Sequence, residues 1–459
     1  MPASLLPLLE KYNVPGPRYT SYPTVPAWSE QIGVELFEQS LQSLRAGEKL
    51  SLYFHLPFCE RLCHFCGCMQ MITKDHARSR EYLEILKKEI QKSVQFIPTT
   101  ARELSQLHFG GGTPNFFQPE ELAEIVGEVK KHFAFSPDAE LAIEMHPRTS
   151  THAFCDKLRE LNFNRISLGV QDFDPVVQKL IHRDQTYEMT VAMLDYLKNL
   201  GFNSFNFDLI YGLPGQTLSG WTKTLNLVLG LKPDRLAVYS YAHVPWVRPV
   251  QRSFKDSDLP SPELKLELFA KAYETFTQGG YELIGMDHFA KASDELAKAK
   301  RNGSLHRNFM GYSTRADAHQ IGFGVSSISY VGGNYFQNAK DLKKYYQQIQ
   351  ARGLATFRGF ILKPDDTLRR DLITQIMCHG GVNLLKFGKK WQIQFEDYFA
   401  SELLNLKAFV QEGLLEINDR QMKIKDLGHL FLRNMAMVFD QYLAGIKKDA
   451  KTPVFSKTV

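Results

Sequence analysis

The chain has 459 residues, of which 44% are hydrophobic and 23% charged, a composition typical of globular proteins rather than disordered ones. Its formal charge of +5 is small for this length and is not concentrated in one tract, so charge alone does not indicate duplex binding. Four of the six cysteines fall between positions 59 and 68, which argues against a disulfide framework and predicts a reducing, cytoplasmic environment.

Residues 1–48 are predicted to form an extended N-terminal arm. The first residues, MPASLLPLLEKYNVPG, lack a basic segment, and Pro7 breaks their apolar run, so no signal peptide is expected. No run of eighteen apolar residues occurs either, and no spanning helix is expected. Further along, Pro15, Pro17, Pro23 and Pro26 disfavour regular structure. The aromatic residues among them indicate that the arm lies against the rest of the protein.

Residues 49–362 are predicted to form an α/β catalytic domain, because strands and amphipathic helices alternate there. The predicted strands are Ser51–Leu56, Gln106–Gly110, Leu141–Met145, Arg165–Val170, Ser204–Ile210, Leu236–Tyr241 and Tyr281–Met286. Helices with apolar residues three and four apart are predicted between them, among others at Arg80–Val94, Pro119–Phe133 and Tyr187–Leu200. The alternation favours a parallel sheet, either a closed or partial barrel or a doubly wound sheet.

The stretch SLYFHLPFCERLCHFCGCMQ carries the strongest chemical signal. Cys59, Cys63 and Cys66 are separated by three and then two residues, with Cys68 following. Three thiolates in a tight loop would leave one iron of a [4Fe–4S] cluster open to a non-protein ligand. A structural zinc site is the alternative, although neither a second cysteine pair nor a histidine pair occurs at a typical distance. Aromatic side chains around the loop are expected to shield a cluster from water.

Glycine and polar clusters come directly after the predicted strands. They are the cysteine loop, Gly110–Pro114, Glu144–Pro147, Gln171–Phe173 and Asp208–Gly215. Because function in α/β barrels lies at the carboxyl ends of the strands, these clusters predict one shared site.

Residues 363–459 are predicted to form a mostly helical C-terminal domain. A hairpin is expected at Leu415–Ile424 with Asn418 and Asp419 at its turn, followed by a long helix over His429–Leu443. This order is typical of winged-helix modules. Because no basic recognition face stands out, a packing role is favoured over binding to nucleic acid.

Distinctive motifs are spread along the chain, namely PGPRYTSYPT, YFHLPFC, the CxxxCxxCxC arrangement, HFGGGTP, RISLGVQDF, FDLIYGLPGQT, GMDHFA, LHRNFMGYSTR and GHLFLRNM. Together they resemble the oxygen-independent coproporphyrinogen III oxidases of the radical S-adenosylmethionine superfamily. The resemblance extends from near residue 12 to near residue 440 and implies a partial (β/α) TIM-like barrel with a winged-helix-like C-terminal domain.

The resemblance also implies the chemistry. One [4Fe–4S] cluster would reduce S-adenosylmethionine to methionine and a 5′-deoxyadenosyl radical, so that the cofactors supply the hard step. Hydrogen abstraction, then loss of CO₂ and one electron, would convert two propionates of coproporphyrinogen III to the vinyls of protoporphyrinogen IX, in haem biosynthesis. Two S-adenosylmethionine molecules, an electron donor such as a flavodoxin or ferredoxin, and a monomer that binds neither nucleic acid nor membrane are implied as well.

The family pattern also implies which residues form the site. Cys59, Cys63 and Cys66 would be the cluster ligands, and Tyr53, His55, Glu144 and Arg183 would be catalytic. Cofactor binding is expected for one S-adenosylmethionine at Tyr53, Gly111, Glu144 and Ile328, and for a second at Phe65, Gly112, Thr113, Gln171, Arg183, Asp208 and Ala242. Glu144 and Asp208 could accept hydrogen bonds from hydroxyl or ammonium groups, and Arg183 could hold a carboxylate in a forked pair.

Three positions depart from the family pattern. His146 stands where an aspartate is expected, Met310 stands where some relatives carry glutamine, and Arg315 comes after it. These departures leave open the details of the second S-adenosylmethionine site and a haem-binding, chaperone-like relative that does not decarboxylate its ligand. A zinc-containing nucleic-acid-binding protein is the third possibility. Cys68 is expected to be a buried or substrate-facing thiol, and Cys155 and Cys378 are expected to be packing residues.

Overall fold

The computed structural model describes residues 5–316, 318–449 and 454–458. Positions 1–4 of the predicted arm, position 317 of the predicted catalytic domain, and positions 450–453 and 459 of the predicted C-terminal domain lie outside the described residues. Within these ranges, none of the helices combines the length and apolar character that crossing a bilayer requires.

Nineteen strands occur in the described residues. They are β1 Lys49–Leu56, β2 Phe58–Cys59, β3 Met71–Ile72, β4 Glu103–Gly111, β5 Ala134–Met145, β6 Arg165–Gln171, β7 Phe205–Tyr211, β8 Arg235–Ser240, β9 Tyr281–Gly285, β10 His288–Lys291, β11 His306–Asn308, β12 Gly311–Ser313, β13 His319–Phe323, β14 Ile328–Val331, β15 Asn334–Asn338, β16 Thr356–Ile361, β17 Gly381–Asn383, β18 Leu415–Ile417 and β19 Gln421–Ile424. All seven strands predicted from the sequence are present.

The α-helices of the described residues connect and cover these strands. They are α1 Leu5–Tyr12, α2 Val34–Gln42, α3 Ala77–Val94, α4 Pro119–His132, α5 His152–Glu160, α6 Pro175–Leu180, α7 Tyr187–Asn199, α8 Leu218–Leu231, α9 Pro262–Gln278, α10 Glu295–Asn302, α11 Leu342–Arg352, α12 Pro364–His379, α13 Leu384–Trp391, α14 Phe395–Tyr398, α15 Ala400–Gln411, α16 Leu432–Val438 and α17 Leu443–Asp449. The three helices predicted between strands correspond to α3, α4 and α7.

A twelve-stranded sheet organises the fold, in the order β16-β15-β14-β13-β1-β4-β5-β6-β7-β8-β10-β9. The seven strands from β13 to β8 are parallel, and antiparallel strands flank them on both sides. This α/β architecture with an open strand order fits the predicted partial barrel. Because the parallel strands share a direction, β1, β4, β5, β6, β7 and β8 all end at one edge.

Apolar side chains that alternate along the central strands form the largest core. Phe54 on β1 lies in register with both Phe109 on β4 and Phe323 on β13, and its ring stacks on theirs at centroid distances of 5.0 and 5.1 Å. All three are buried. Such stacked pairs stabilise neighbouring strands beyond the area they bury, so these rings hold the register that positions the strand ends.

A second hydrophobic core joins the C-terminal helices to the N-terminal arm. The three-stranded sheet β17-β19-β18 packs with α12 to α16, and Tyr12, Tyr19 and Tyr22 of the arm belong to the same cluster. The arm also pairs with the end of the chain, because Gly16 donates to Ser456 O at 3.0 Å and Thr458 donates to Val14 O at 2.9 Å. The domain boundaries at residues 48/49 and 362/363 stay a prediction.

Two expectations about local structure were wrong in part. The arm is extended only between α1 and α2, apart from a 3₁₀ turn at Val25–Ala27, because α2 buries Val34, Phe37 and Leu41 at helical spacing. The predicted helix over His429–Leu443 is instead a 3₁₀ helix at Asp426–Phe431 followed by α16 and, after a break, α17.

The break between α16 and α17 has a local cause. The Asp440 carboxylate accepts hydrogen bonds from the backbone N–H groups of Tyr442 at 3.0 Å and Leu443 at 3.1 Å. A side chain that bonds forward in this way caps a new helix start. The chain therefore begins a second helix at Leu443 instead of continuing the first.

Candidate active site

The cysteine loop leaves the sheet at the end of β1 and comes back along β3. Strand β2 pairs with β3 in parallel, so residues 60–70 form a loop between them. Cys59, Cys63 and Cys66, all partly exposed, line a single cavity of about 200 Å³, and exposed Cys68 lines it too. Within the described chain, no group of three or more Cys, His, Asp and Glu side chains is arranged to hold a metal ion. The ligand roles of the three cysteines therefore stay a prediction.

The surroundings of the thiols differ from one cysteine to the next. Cys59 Sγ lies 3.2 Å from Thr113 Oγ1, and burial raises the pKa of the Cys59 thiol to about 12. Hydrogen bonding from Cys68 lowers the pKa of Cys66 to about 7. Arg183 Nη1 donates to Cys63 Sγ at 3.8 Å. Because cluster ligands must be thiolates, loading a cluster into this loop would release protons.

The glycine turn after β4 touches the cysteine loop backbone to backbone. Gly112 N donates to Leu56 O at 2.8 Å, and a Cβ at Gly112 would lie 2.6 Å from both C and O of Pro57. Gly111 has a φ of +115°, which side-chain-bearing residues rarely adopt. The sequence Gly-Gly-Gly is therefore required for the two loops to form one wall of the cavity.

Glu144 connects β5 to this wall. Its Oε1 lies 3.2 Å from His108 Nε2, and its Oε2 accepts from Gly111 N at 3.2 Å. Burial raises the pKa of this carboxyl, but the hydrogen bond with His108, the charges of the nearby histidines and the hydrogen bond from Gly111 N together lower the pKa of Glu144. The side chain is 44% exposed, so an ionised carboxylate oxygen remains accessible to a ligand in the cavity.

Tyr53 and His55 lie behind Glu144 and do not line the cavity. The Met69 carbonyl can only accept, so His55 Nε2 carries the proton that it donates at 2.9 Å. His55 Nδ1 then accepts from the Tyr53 hydroxyl at 3.1 Å. Burial lowers the pKa of His55 and raises that of Tyr53, so both are neutral. This pair fixes the returning end of the cysteine loop at Met69.

Arg183, Gln171 and Asp208 close the cavity on the side of β6 and β7. Arg183 Nη2 donates to Gly169 O at 2.5 Å, which turns its Nη1 toward Cys63. Asp208 accepts from Ser167 at 3.2 Å and Asn206 at 2.9 Å. Burial, and after it the charge of Glu144, raises the pKa of Asp208 to about 6. Two carboxylates and one guanidinium thus face one space.

Eleven of the fifteen site residues predicted from the sequence line this cavity. They are Cys59, Cys63, Phe65, Cys66, Gly111, Gly112, Thr113, Glu144, Gln171, Arg183 and Asp208. Besides Tyr53 and His55, the lining lacks Ala242, which lies just after β8, and Ile328, which opens β14. The functional roles of all fifteen stay predictions.

The cavity lining also contains residues that were not predicted as site residues, among them Asn115, Arg148 and His182. Asn115 accepts from His146 N at 3.0 Å, and His146, one of the three departures, lines the cavity as well. For Asn115 and Arg148, the position a few residues after the ends of β4 and β5 was the available signal, whereas His182 follows α6 and carried no such signal.

The other two departures are not in the cavity lining. Arg315 donates to Asp138 Oδ2 at 2.7 Å, and Asp138 lies in the first half of β5, away from the strand end that carries Glu144. Met310 N donates to Asn308 Oδ1 at 2.9 Å in the turn between β11 and β12. Arg315 therefore forms its ion pair outside the cavity lining.

Comparison with known proteins finds a matching family for two segments of the chain and similar full-length proteins. Residues 53–228 match the radical SAM superfamily, and residues 362–431 match the HemN C-terminal domain. The oxygen-independent coproporphyrinogen III oxidase of Escherichia coli K12 is 44% identical over 456 residues, which are 99% of this chain and 98% of that protein. The protein of the same name from Pseudomonas aeruginosa is 40% identical, with 96% of each chain covered.

A solved structure has the same fold over nearly its full length. The structure described as coproporphyrinogen III oxidase (HemN) from Escherichia coli, a radical SAM enzyme, aligns with a TM-score of 0.91. The sequence identity is 42%, and the alignment covers 95% of this chain and 98% of that one.

Proposed function

This chain belongs to the oxygen-independent coproporphyrinogen III oxidases of the radical SAM superfamily, and on that premise we propose that it converts coproporphyrinogen III to protoporphyrinogen IX without molecular oxygen. It is an oxidoreductase of haem biosynthesis. In each of two propionates, loss of one hydrogen atom, CO₂ and one electron leaves a vinyl group, so atoms and charge balance once an acceptor takes the electron.

One structural observation carries the proposal. A single cavity of about 200 Å³ is lined by three cysteines, a glycine turn, two carboxylates and a guanidinium, all at the carboxyl edge of the parallel strands. Membership of the radical SAM superfamily implies a [4Fe–4S] cluster and S-adenosylmethionine. The donor set fits this, because sulfur ligands suit iron–sulfur clusters and close backbone approach at Gly111 and Gly112 admits an amino-acid moiety.

Each group in the cavity has a proposed task. Cys59, Cys63 and Cys66 would hold the cluster, which together with S-adenosylmethionine supplies hydrogen-atom abstraction when bound. Glu144, ionised and hydrogen-bonded to the glycine turn, would accept hydrogen bonds from the cofactor's ammonium or hydroxyl groups.

On the opposite side of the cavity, Arg183 would pair with a carboxylate and Asp208 would accept from ribose hydroxyls. These groups lie beside Phe65, Gly112, Thr113 and Gln171, where we propose a second S-adenosylmethionine, with Ala242 beyond β8. Ile328 would contact the first molecule.

Tyr53 and His55 are proposed to act through position. Because the neutral His55 ring links the Tyr53 hydroxyl to the Met69 carbonyl, the pair would hold the returning end of the cysteine loop against β1. A loop held in this way would help to exclude water, which protects a reactive radical from side reactions.

Several further aspects are proposed with the function. The electron donor would be a small redox protein such as a flavodoxin or ferredoxin, and the protein would act as a cytoplasmic monomer. An N-terminal arm over residues 1–48, a catalytic domain over 49–362 and a C-terminal domain over 363–459 are proposed as its parts. The second hydrophobic core, formed by arm and C-terminal residues, supports a separate C-terminal unit.

The decisive experiment measures anaerobic turnover. Protein purified and reconstituted without air is expected to contain four iron and four acid-labile sulfide atoms per chain, the content of one cluster. With S-adenosylmethionine, a reductant and coproporphyrinogen III, it should release two CO₂ per substrate. Iron without CO₂ release would favour the haem-binding, chaperone-like alternative, and zinc in place of iron and sulfide would refute the proposal.

A further inference from the structure

A group of arginines lies beside the candidate active site, at the inner side of β8 and β10. We define the arginine cluster by its members, which come from the arm, the turn between β9 and β10, β10, β11, β12 and α16: Arg18, Asp287, His288, Arg307, Tyr312 and Arg433. Arg18 Nη2 and Asp287 Oδ2 form an ion pair at 2.5 Å, across 269 positions of sequence. None of these residues was predicted to belong to the site.

Positive charge in the arginine cluster exceeds negative charge. Arg18, Arg307 and Asp287 all act electrostatically on the Arg433 guanidinium, so the arginine cluster combines three guanidinium groups with one carboxylate. Burial and then the charge of Arg18 lower the pKa of Arg433 to about 9. His288 adds no charge, because burial lowers its pKa. A buried surplus of cations is costly unless an anion joins them.

The guanidinium of Arg307 has donor capacity that the protein does not use. The residue is 7% exposed, its Nε donates to Arg18 O at 3.4 Å, and its buried Nη1 has no hydrogen-bond partner. Its planar group stacks on the Tyr312 ring at 4.6 Å, which fixes its orientation. A buried N–H without an acceptor is rare and destabilising, so a hydrogen-bond acceptor beside Arg307 Nη1 would stabilise this position.

A second buried arginine, Arg165, differs from Arg307 in how its charge is compensated. Arg165 Nη1 also has no partner, but Arg165 forms ion pairs with Glu140 at 2.8 Å and with Glu295. Its charge is therefore compensated by carboxylates of the protein. Among the described residues Arg307 forms no ion pair of its own, and the carboxylate on which its charge acts, that of Asp287, is already paired with Arg18.

The arginine cluster faces the candidate active site through Tyr239. The Arg18 guanidinium lies 5.6 Å from the centroid of the Tyr239 ring, and the His288 ring lies 5.5 Å from it. Tyr239 pairs with Ile210 on β7, two residues beyond Asp208. Burial and then the charges of Asp208 and Asp287 raise the pKa of Tyr239.

The arm places Arg18 at this position with help from Arg433. Arg433 Nε donates to Pro17 O at 2.9 Å and its Nη1 donates to Lys457 O at 3.0 Å, with a further bond to Gly16 O. All of these acceptors are backbone carbonyls, so Arg433 fastens the arm without neutralising its own charge. A cavity of about 50 Å³ beside Arg18 and Asp287 leaves room for one small polar group.

We propose that Arg18 and Arg307 bind a carboxylate of the porphyrinogen substrate that is not the one being lost, and so determine which way the macrocycle lies in the site. This inference rests on the proposed function. The substrate carries four propionates, of which two remain, and a planar guanidinium fork matches a carboxylate. Arg433 is a positioning residue, because it acts on the substrate only through the arm.

The test measures binding of a carboxylate-bearing porphyrin apart from turnover. Reconstituted enzyme is titrated anaerobically with coproporphyrin III, a tetracarboxylate that is already oxidised, and with its neutral tetramide, and fluorescence quenching is followed. Arg307→Gln is expected to weaken binding of the tetracarboxylate about 10- to 100-fold and to leave binding of the tetramide within about twofold. Arg307→Lys, which keeps the positive charge but loses the forked guanidinium, should bind the tetracarboxylate with an affinity between those of Arg307→Gln and the unsubstituted enzyme.

A nearby surface arginine provides the control. Arg301 pairs with Glu282 and its side chain is 48% exposed, so Arg301→Gln should bind both ligands as the unsubstituted enzyme does. If Arg307→Gln does not fold, Arg18→Gln is measured by the same criteria, since the Arg18 side chain is 30% exposed and easier to replace. The KM for coproporphyrinogen III should rise in these variants, with kcat changed less.

The outcomes separate this inference from the proposed function. Unchanged tetracarboxylate affinity in Arg307→Gln and Arg18→Gln, or an equal loss for the tetracarboxylate and the tetramide, would overturn the arginine assignment while turnover of the unsubstituted enzyme upholds the function. Absence of turnover by the unsubstituted, reconstituted enzyme would overturn the proposed function itself.

Discussion

Substituting Gly112 with alanine adds one methyl group where the glycine turn meets the cysteine loop. The new Cβ would lie 2.6 Å from C and O of Pro57 and 2.9 Å from Phe58 O. All three are backbone atoms, so no flexible side chain can move aside. The cysteine loop would have to shift away from β4, and with it the hydrogen bond from Gly112 N to Leu56 O.

The size of the effect can be worked out from that overlap. Forcing an extra methyl group into a packed site costs about 1–3 kcal/mol. If the strain disfavours only the cluster-bound loop, cluster retention falls by a factor of about 5 to 150. The unfolding entropy is about 2.1 cal/mol/K per residue, so for 459 residues the same strain shifts the melting temperature by only about 1–3 °C.

Iron content is therefore the sensitive measurement. After anaerobic reconstitution and dialysis against a chelator, Gly112→Ala should retain less iron and sulfide than the unsubstituted protein, with a nearly unchanged melting curve. Gly67 supplies a matched control within the same loop, because a Cβ there would have nothing within 4 Å. Full iron retention in Gly112→Ala, or equal loss in Gly67→Ala, would refute the proposed contact between turn and loop.

Three further substitutions test separate parts of the structure. Cys63→Ala should abolish cluster assembly, seen as loss of the brown absorbance, while leaving the fold intact. Cys155→Ala, which removes a buried packing thiol, should retain the brown absorbance. Arg183→Ala should lower turnover by at least about 100-fold, because charged hydrogen bonds to a cofactor are strong, with a much smaller change in the denaturation midpoint. Burial raises the pKa of Glu89 to about 7, above its value in the unfolded chain, so the folded state binds the proton more tightly. The free energy of unfolding should therefore fall by about 3 kcal/mol as pH rises from about 4.5 to 8. Chemical denaturation of Glu89→Gln should not show this fall.

Each of these three predictions has an outcome that would contradict it. Undiminished absorbance in the Cys63 variant would remove it from the ligand set, and an unfolded Arg183 variant would make that residue structural. A pH profile of Glu89→Gln that runs parallel to that of the unsubstituted protein would mean that Glu89 is ionised alike in the folded and unfolded states.

The central strands could be predicted from sequence because their pattern is local. Stretches such as those around Phe54 and Leu107 alternate apolar residues with polar or aromatic ones, as strands with one face in the core do, and polar residues come after each of them. The same logic located the cavity, since Glu144 and Asp208 both lie near the ends of their strands. Polar residues at the carboxyl end of a buried parallel strand are therefore a usable signal for a site.

The side of the sheet formed by β13 to β16 was not predicted from the sequence, for a physical reason. Strands β13 to β16 are only four to six residues long, and their positions depend on pairing with β1, more than 260 residues earlier in the chain. The tautomer of His55 and the pairing of Arg18 with Asp287 depend in the same way on partners that only the fold brings together. Periodicity carries no information about such contacts.

The pairing of residues 14–16 with residues 456–458 has a practical consequence for how the protein is handled. Because one guanidinium, that of Arg433, donates to Gly16 O in the first segment and to Lys457 O and Thr458 O in the second, a chain shortened after residue 449 would lose contacts that hold both segments. Arg18 would then lose its anchoring, and porphyrin affinity should drop although every residue of the candidate active-site cavity is retained.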